Sequence, residues 1–306
     1  MGATPHMLSR CALAVSAAAV LLLLAAPVRP AFAPVARAAE LSARVPAVMV
    51  HPPRDLPTGR PLQVLVALHG MGGNGELIAA QLVAQADRNH WLLVAPTIEY
   101  GDWTDPSQIA REEPQLIQWL ADYLDQLPDM VGVPVRPRIL LLGYSRGAQL
   151  AHRFALFQPE RILAVAALGA GTYTLPLERS AEGNVIRFPF GVSDMGTISG
   201  HPFSRSRFIE DTHFWLGVGT EDNNPNDLPR AWDPYLGTTR VQRARAFQEA
   251  LHDLGARSVL VAFRGERHVM SLDMANSACS FLRGLDLEQS EPEPPMRPQA
   301  HARAHF

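Results

Sequence analysis

The sequence contains no lysine, because all 27 basic residues among its 306 residues are arginine. This absence excludes mechanisms that need a lysine nucleophile, a Schiff base or the lysine of a phosphate-binding loop. Cysteine is almost absent too, with Cys11 and Cys279 the only two. No spacing of histidine, cysteine or carboxylate residues is typical of a metal site. We therefore expect no metal and no cofactor.

An apolar run near the N-terminus has the layout of an export signal. Arg10 precedes an uncharged stretch over residues 11–26, and an Ala-x-Ala motif ends at Ala38. These are the three parts of a signal peptide, so we predict cleavage after residues 1–38 and a secreted or periplasmic protein. An uncleaved N-terminal anchor is the alternative, although the run is short for a span of ~20 residues. After cleavage we expect no stable membrane insertion.

Removal of residues 1–38 would change the charge and the cysteine content. It would leave 24 arginines against 30 acidic residues, a formal charge of −6 with histidine neutral. An acidic balance argues against a nucleic-acid partner. Cys279 would be the sole cysteine, so no intramolecular disulfide is expected. The oligomeric state is left open.

Apolar strand-like segments alternate with amphipathic helix-like segments between residues 45 and 284. This alternation predicts a mostly parallel sheet with helices on both faces, in one domain over residues 39–287. Residues 171–213 break the rhythm and are rich in Gly, Pro, Ser and Arg, which predicts an insertion that is either a lid or a solvated excursion. Residues 288–306 have too little apolar content to fold, so we predict a disordered tail.

Helix boundaries follow from the apolar spacing within that domain. Leu and Ile recur on one face over residues 114–127, which predicts a helix that starts at Pro114. The residues before Pro114 are polar and aromatic, and we predict a loop there.

The stretch from Ile139 to Leu150 predicts a strand, a sharp turn and a helix. The turn reads Gly143-Tyr144-Ser145-Arg146-Gly147, which has the Gly-x-Ser-x-Gly pattern of a nucleophile elbow. Glycines on either side of the serine let the strand and the helix approach closely and leave the hydroxyl protruding. We predict that Ser145 is a nucleophile. An ordinary strand-to-helix turn with an incidental serine is the alternative.

A serine nucleophile needs a base, and that base needs an acid to orient it. Catalytic groups of open α/β sheets collect in loops at the carboxyl ends of strands. Asp222 and His268 occupy such loops after two later predicted strands. We predict Asp222 as the acid, with Glu221 as the alternative, and His268 as the base, with His201 of the insertion as the alternative.

Attack on a carbonyl creates an oxyanion, which needs N–H donors already in place. We predict the backbone N–H groups of Arg146 and of Met71, which lies in the glycine-rich loop over residues 69–73. The Arg146 side chain either steers an anionic substrate or pairs with a neighbouring acid, and we favour the pairing. Tyr100 and Trp103 are candidates for the substrate pocket, and packing of Trp103 against the core is the alternative.

The order Ser145, Asp222, His268, together with His69-Gly-Met-Gly-Gly after an early strand, resembles the α/β-hydrolase superfamily. Within it, residues 45–284 resemble secreted bacterial esterases of the polyhydroxybutyrate-depolymerase, feruloyl-esterase and dienelactone-hydrolase-like group. Depolymerases of this kind often carry cysteines near the site, which the mature chain lacks apart from Cys279.

The resemblance implies an α/β-hydrolase fold with a small lid-like insertion. It also implies cleavage of a small or polymeric carboxylic ester through a Ser-His-Asp triad and an acyl-enzyme. Two alternatives stay open: a peptidase or amidase that uses the same triad, and a non-catalytic binding protein on the same fold.

Overall fold

The computed structural model describes residues 44–56 and 60–290, and the strands of this part form one seven-stranded sheet. The strand order is β1-β3-β2-β4-β5-β6-β7, and β1 alone is antiparallel to its neighbour. This confirms the predicted fold class. The strands are β1 (Ala47–His51), β2 (Gln63–Leu68), β3 (Trp91–Thr97), β4 (Ile139–Tyr144), β5 (Ile162–Leu168), β6 (His213–Gly219) and β7 (Arg257–Phe263).

Helices cover both faces of the sheet, which is why β2 and β5 are buried along their whole length. The helices are α1 (Gly75–Asn89), α2 (Pro106–Val131), α3 (Arg146–Phe157), α4 (Met195–Ser199), α5 (Arg205–Asp211), α6 (Asp233–Leu236), α7 (Arg240–Leu254) and α8 (Leu272–Ser290). One apolar core lies between the sheet and α1 and α8, and a second lies between the sheet and α2, α3 and α7. Within the described ranges, no helix has both the length and the hydropathy needed to cross a membrane.

Helix α2 corrects the prediction that residues 114–127 form a helix after a loop. The helix begins eight residues earlier, at Pro106, because the Asp105 side chain accepts a backbone hydrogen bond (2.8 Å) as its N-cap. Pro106 lies in the first turn, where a backbone N–H would have no partner within the helix, so the proline costs no helical hydrogen bond. Pro114 therefore lies inside the helix. The extra turns bring buried Glu113 against α3.

The C-terminal boundary also differs from the prediction. Helix α8 ends at Ser290, three residues past the predicted domain end at Leu287. The Trp91 indole N–H donates to the Asp286 carboxylate (2.8 Å), which holds the last turns of α8 to the sheet. The rest of the predicted tail lies outside the described residues, as does the predicted signal peptide.

The insertion over residues 171–213 is not a solvated excursion. Tyr173, Ile186 and Phe208 are buried and belong to the core beneath α3 and α7. The Tyr173 ring stacks on Phe247 of α7 with centroids 4.5 Å apart. The insertion is therefore an integral part of the domain.

Candidate active site

Ser145 occupies a strained turn between β4 and α3. Its φ of 54° and ψ of −113° lie outside the regions that L-residues favour. Such strain persists only where the surroundings enforce it, and it concentrates at functional sites. The turn ends at Arg146, where α3 begins, so the N-terminus of that helix lies directly beside the serine.

The two glycines of the predicted pattern are required by close backbone contacts. A Cβ on Gly147 would overlap the carbonyl of Leu68 at the end of β2, and a Cβ on Gly143 would overlap the carbonyl of Gly147. The strand and the helix therefore approach as closely as the pattern predicts.

The structure brings Ser145, His268 and Asp222 into one hydrogen-bonded chain. Ser145 Oγ lies 2.9 Å from His268 Nε2, and His268 Nδ1 lies 2.7 Å from Asp222 Oδ2. The His268 ring stacks on Tyr144 with centroids 5.2 Å apart. Asp222 is buried and His268 is partly exposed. The ring is therefore anchored through Nδ1 by Asp222 and remains accessible from the cleft. This arrangement suits proton transfer from a serine hydroxyl.

The alternative acid and base lie elsewhere. The Glu221 side chain is 58% exposed, and its carboxylate lies 3.8 Å from Arg267 Nε. His201 lines a different cleft, beside the end of α3 and the helix α4. Of the candidates, His268 is therefore the one that contacts Ser145, and Asp222 is the one that contacts His268.

Arg240 is a residue of the site that the sequence did not indicate. Its Nη1 donates to Asp222 Oδ1 at 2.6 Å, and its Nη2 donates to the carbonyl oxygen of Asp227 at 3.1 Å. The Asp222 carboxylate is thus held on one oxygen by an arginine and on the other by His268.

The glycine-rich loop lies against the serine. A Cβ on Gly70 would lie 3.1 Å from Ser145 Cβ, so this position tolerates little bulk. Because the Ile98 N–H donates to His69 Nε2 (2.9 Å), His69 Nδ1 carries the proton and donates to the Gly70 carbonyl (2.7 Å). Burial lowers the pKa of His69, which favours this neutral form. Met71 follows in the same loop and lines the cleft.

The Arg146 side chain pairs with acids of α2, as the favoured interpretation expects. It is only 2% exposed, forms an ion pair with Glu113, and lies 3.7 Å from Glu112. Arg153 Nη1 also contacts Glu113, at 2.6 Å. Burial alone would raise the pKa of Glu113, but the two guanidiniums outweigh it and hold that pKa below its usual range.

We expect Glu113→Gln to lower the free energy of unfolding by about 3–5 kcal/mol, since it removes the carboxylate that the buried guanidiniums of Arg146 and Arg153 share. Urea unfolding measures the change. The matched control is Asp125→Asn, which breaks an exposed pair with Arg161 and should cost no more than about 1 kcal/mol. Equal losses in the two variants would contradict the importance of the buried cluster.

A cleft of about 290 Å³ opens at the serine. Trp103 lines it and, among the described residues, is not one of those packed on either core. Tyr100 does not line it, which corrects the pocket prediction, because its ring lies against the Arg146 guanidinium (5.1 Å). The described lining residues are Gly70, Met71, Trp103, Tyr144, Ser145, Arg146, Gln149, Asp227, Arg240 and His268.

The insertion over residues 171–213 supplies none of these described lining residues, so it does not occupy the predicted lid position. It packs against α3 instead. Thr172 Oγ1 donates to Gln149 Oε1 (2.9 Å) and accepts from Arg153 Nη2 (2.8 Å). The insertion thus supports the helix that follows the serine.

Comparison with known families agrees with the observed fold. The model of the α/β-hydrolase fold family matches residues 63–251, which is more than half of the chain. The chain therefore belongs to the α/β-hydrolase fold family, as the sequence motifs predicted. No curated protein is significantly similar to it in sequence.

Two solved structures illustrate the shared fold. The poly(aspartic acid) hydrolase-1 of Sphingomonas sp. KT-1 has a TM-score of 0.59 and 21% identity, over 76% of this chain and 91% of that one. LpqC, a poly(3-hydroxybutyrate) depolymerase from Bordetella parapertussis, has a TM-score of 0.58 and 22% identity, over 80% of this chain and 85% of that one. At these identities the similarity establishes the fold.

Proposed function

We propose that the protein is a serine hydrolase that cleaves carboxylic esters through an acyl-enzyme intermediate. The observation that carries the proposal is the hydrogen-bonded chain from Ser145 through His268 to Asp222 at a strained turn that opens into a cleft. A serine, an imidazole and a carboxylate in this order form the arrangement that activates a hydroxyl for attack.

The first half of the reaction forms the acyl-enzyme. Ser145 Oγ attacks the ester carbonyl carbon while His268 Nε2 accepts the hydroxyl proton, and Asp222 stabilises the resulting imidazolium. The carbonyl oxygen becomes an oxyanion, to which we assign the backbone N–H groups of Met71 and Arg146 as donors. The intermediate collapses when the bond to the leaving alkoxide breaks, and His268 gives its proton to that oxygen.

The second half regenerates the enzyme. Water takes the place of the alcohol, His268 accepts a proton from it, and the resulting hydroxide attacks the acyl carbon. The bond from that carbon to Ser145 Oγ breaks, and His268 returns the proton to the serine. Every proton therefore moves through one imidazole.

Export of the mature chain forms part of the proposal. It rests on the signal-peptide layout of residues 1–38, which lie outside the described residues. A secreted or periplasmic enzyme would meet small or polymeric esters outside the cytoplasm, and we assign it no nucleic-acid partner.

A panel of p-nitrophenyl esters of increasing acyl length, assayed beside aminoacyl p-nitroanilides, tests the choice of bond. At about 290 Å³ the cleft lies at the lower end of the range of about 300–1,000 Å³ that is typical of small-molecule sites, so a long acyl chain would extend beyond it. We therefore expect kcat/KM to be higher for the butyrate than for the laurate. Turnover of the anilides alone would contradict the ester assignment and favour a peptidase or amidase.

A further inference from the structure

Arg240 joins the acid of the triad to the wall of the cleft. Its side chain is 4% exposed and donates one hydrogen bond to Asp222 Oδ1 (2.6 Å) and another to the carbonyl oxygen of Asp227 (3.1 Å). Both Arg240 and Asp227 line the cleft that contains Ser145. The Arg240 guanidinium therefore bridges the buried Asp222 carboxylate and the backbone of Asp227 in the cleft wall.

Local structure does not explain an arginine at this position. Arg240 is the first residue of α7, where the helix macrodipole disfavours a positive charge. The start of α7 is already secured by a capping box, in which Thr239 and Gln242 satisfy each other's backbone N–H groups. Burial of a guanidinium is also unfavourable unless a partner compensates it. The partner that compensates Arg240 is Asp222.

We propose that Arg240 is a positioning residue that orients Asp222 and sets the pH range in which His268 acts as a base. The proposal rests on the proposed serine-hydrolase function. By occupying Oδ1, Arg240 leaves Oδ2 directed at His268 Nδ1. By neutralising the charge of Asp222, it also limits how strongly that carboxylate stabilises the imidazolium.

The other charged and titratable groups near His268 do not duplicate this role. The Tyr144 ring stacks on His268, and burial raises the pKa of Tyr144 to about 12, so its phenol adds no charge at neutral pH. Glu221 and Arg267 face each other (3.8 Å), and Glu266 accepts a hydrogen bond from Ser271. Asp227 lines the same cleft and engages Arg240 through its backbone carbonyl. In the described part of the chain, Arg240 is thus the arginine that contacts the acid of the triad.

The sign of the expected pH effect follows from the charges. His268 accepts a proton only when it is neutral, so protonation of the ring at low pH removes the base. Loss of the positive charge at Arg240 leaves Asp222 uncompensated, which favours the imidazolium over the neutral ring. Arg240→Gln should therefore move the acidic limb of the kcat/KM profile up by about one pH unit and lower the plateau by about tenfold to a hundredfold.

Two further variants separate orientation from charge. Arg240→Lys keeps the charge but cannot hold both acceptors in one fork. In this variant the acidic limb of the kcat/KM profile should stay within about 0.3 pH unit of the wild-type position, while the plateau value of kcat/KM falls. Arg243→Lys is the matched control, because Arg243 is another buried arginine of α7 that contacts Asp233 and backbone carbonyls, not Asp222. It should lower stability without moving the limb.

The experiment measures kcat/KM of p-nitrophenyl butyrate hydrolysis against pH. The enzyme concentration is determined by titration of active sites, so that misfolded protein is not counted. The double variant Asp222→Asn/Arg240→Gln completes the test. If Arg240 acts through Asp222, Arg240→Gln should add no further loss to Asp222→Asn. An active wild-type protein with an unmoved limb in Arg240→Gln, or additive losses in the double variant, would overturn the inference alone. An inactive wild-type protein would overturn the proposed function as well.

Discussion

Replacement of Ser145 by alanine should lower kcat for ester hydrolysis by about a millionfold, because the proposed mechanism forms the acyl-enzyme on the Ser145 hydroxyl. The substitution suits the site, since alanine also carries a Cβ and keeps the strain of the positive φ at this turn. The melting temperature should therefore stay close to that of the wild-type protein. Steady-state hydrolysis of p-nitrophenyl butyrate measures the loss.

Ser145→Gly is a second variant that separates the effect of backbone strain on stability from the effect of the hydroxyl on activity. Glycine adopts positive φ readily, so relief of the strain should raise the stability by about 1 kcal/mol while activity stays as low as in Ser145→Ala. If Ser145→Ala retained more than a few per cent of the wild-type rate, the serine would not be the nucleophile.

The Asp222→Asn variant should lose about 10⁴-fold in kcat with little change in KM. The asparagine amide cannot stabilise the imidazolium, and an N–H in place of the carboxylate oxygen favours the wrong tautomer of His268. The variant also leaves buried Arg240 without its countercharge, so we expect a lower unfolding free energy as well.

Glu221→Gln is the matched control for Asp222→Asn. It removes the neighbouring carboxylate, which is exposed and faces Arg267, and it should leave kcat within about twofold because a screened surface pair contributes little. A loss at Glu221 as large as that at Asp222 would contradict the geometry of the site.

The proximity of Ser145, Asp222 and His268 could be predicted because each residue lies in a recognisable local sequence pattern. The serine stands between two glycines at a strand-to-helix turn, and the other two follow apolar strands in the loops where open parallel sheets collect functional groups. The parallel topology then brings three separate loops to one edge. Short-range pattern and fold class were sufficient for that part.

The surroundings of these three residues could not be predicted in this way. Glu113 precedes a proline that reads as a helix start, and only the cap at Asp105 extends α2 far enough to bring the acid against α3. Arg240 looks like an ordinary helix residue, and its contact with Asp222 depends on how α7 packs beside β6. Tyr100 looked like a pocket residue, but its ring lies against Arg146. Each case depends on packing between segments distant in sequence.

Labelling with a fluorophosphonate, followed by mass spectrometry of the peptides, tests whether Ser145 is the nucleophile. We predict one adduct per chain on Ser145, none on that peptide in Ser145→Ala, and labelling slowed at least about a thousandfold in His268→Ala, because the hydroxyl then lacks its base. No adduct on the wild-type protein, as expected of a non-catalytic binding protein, or an adduct on a different residue, would contradict this prediction.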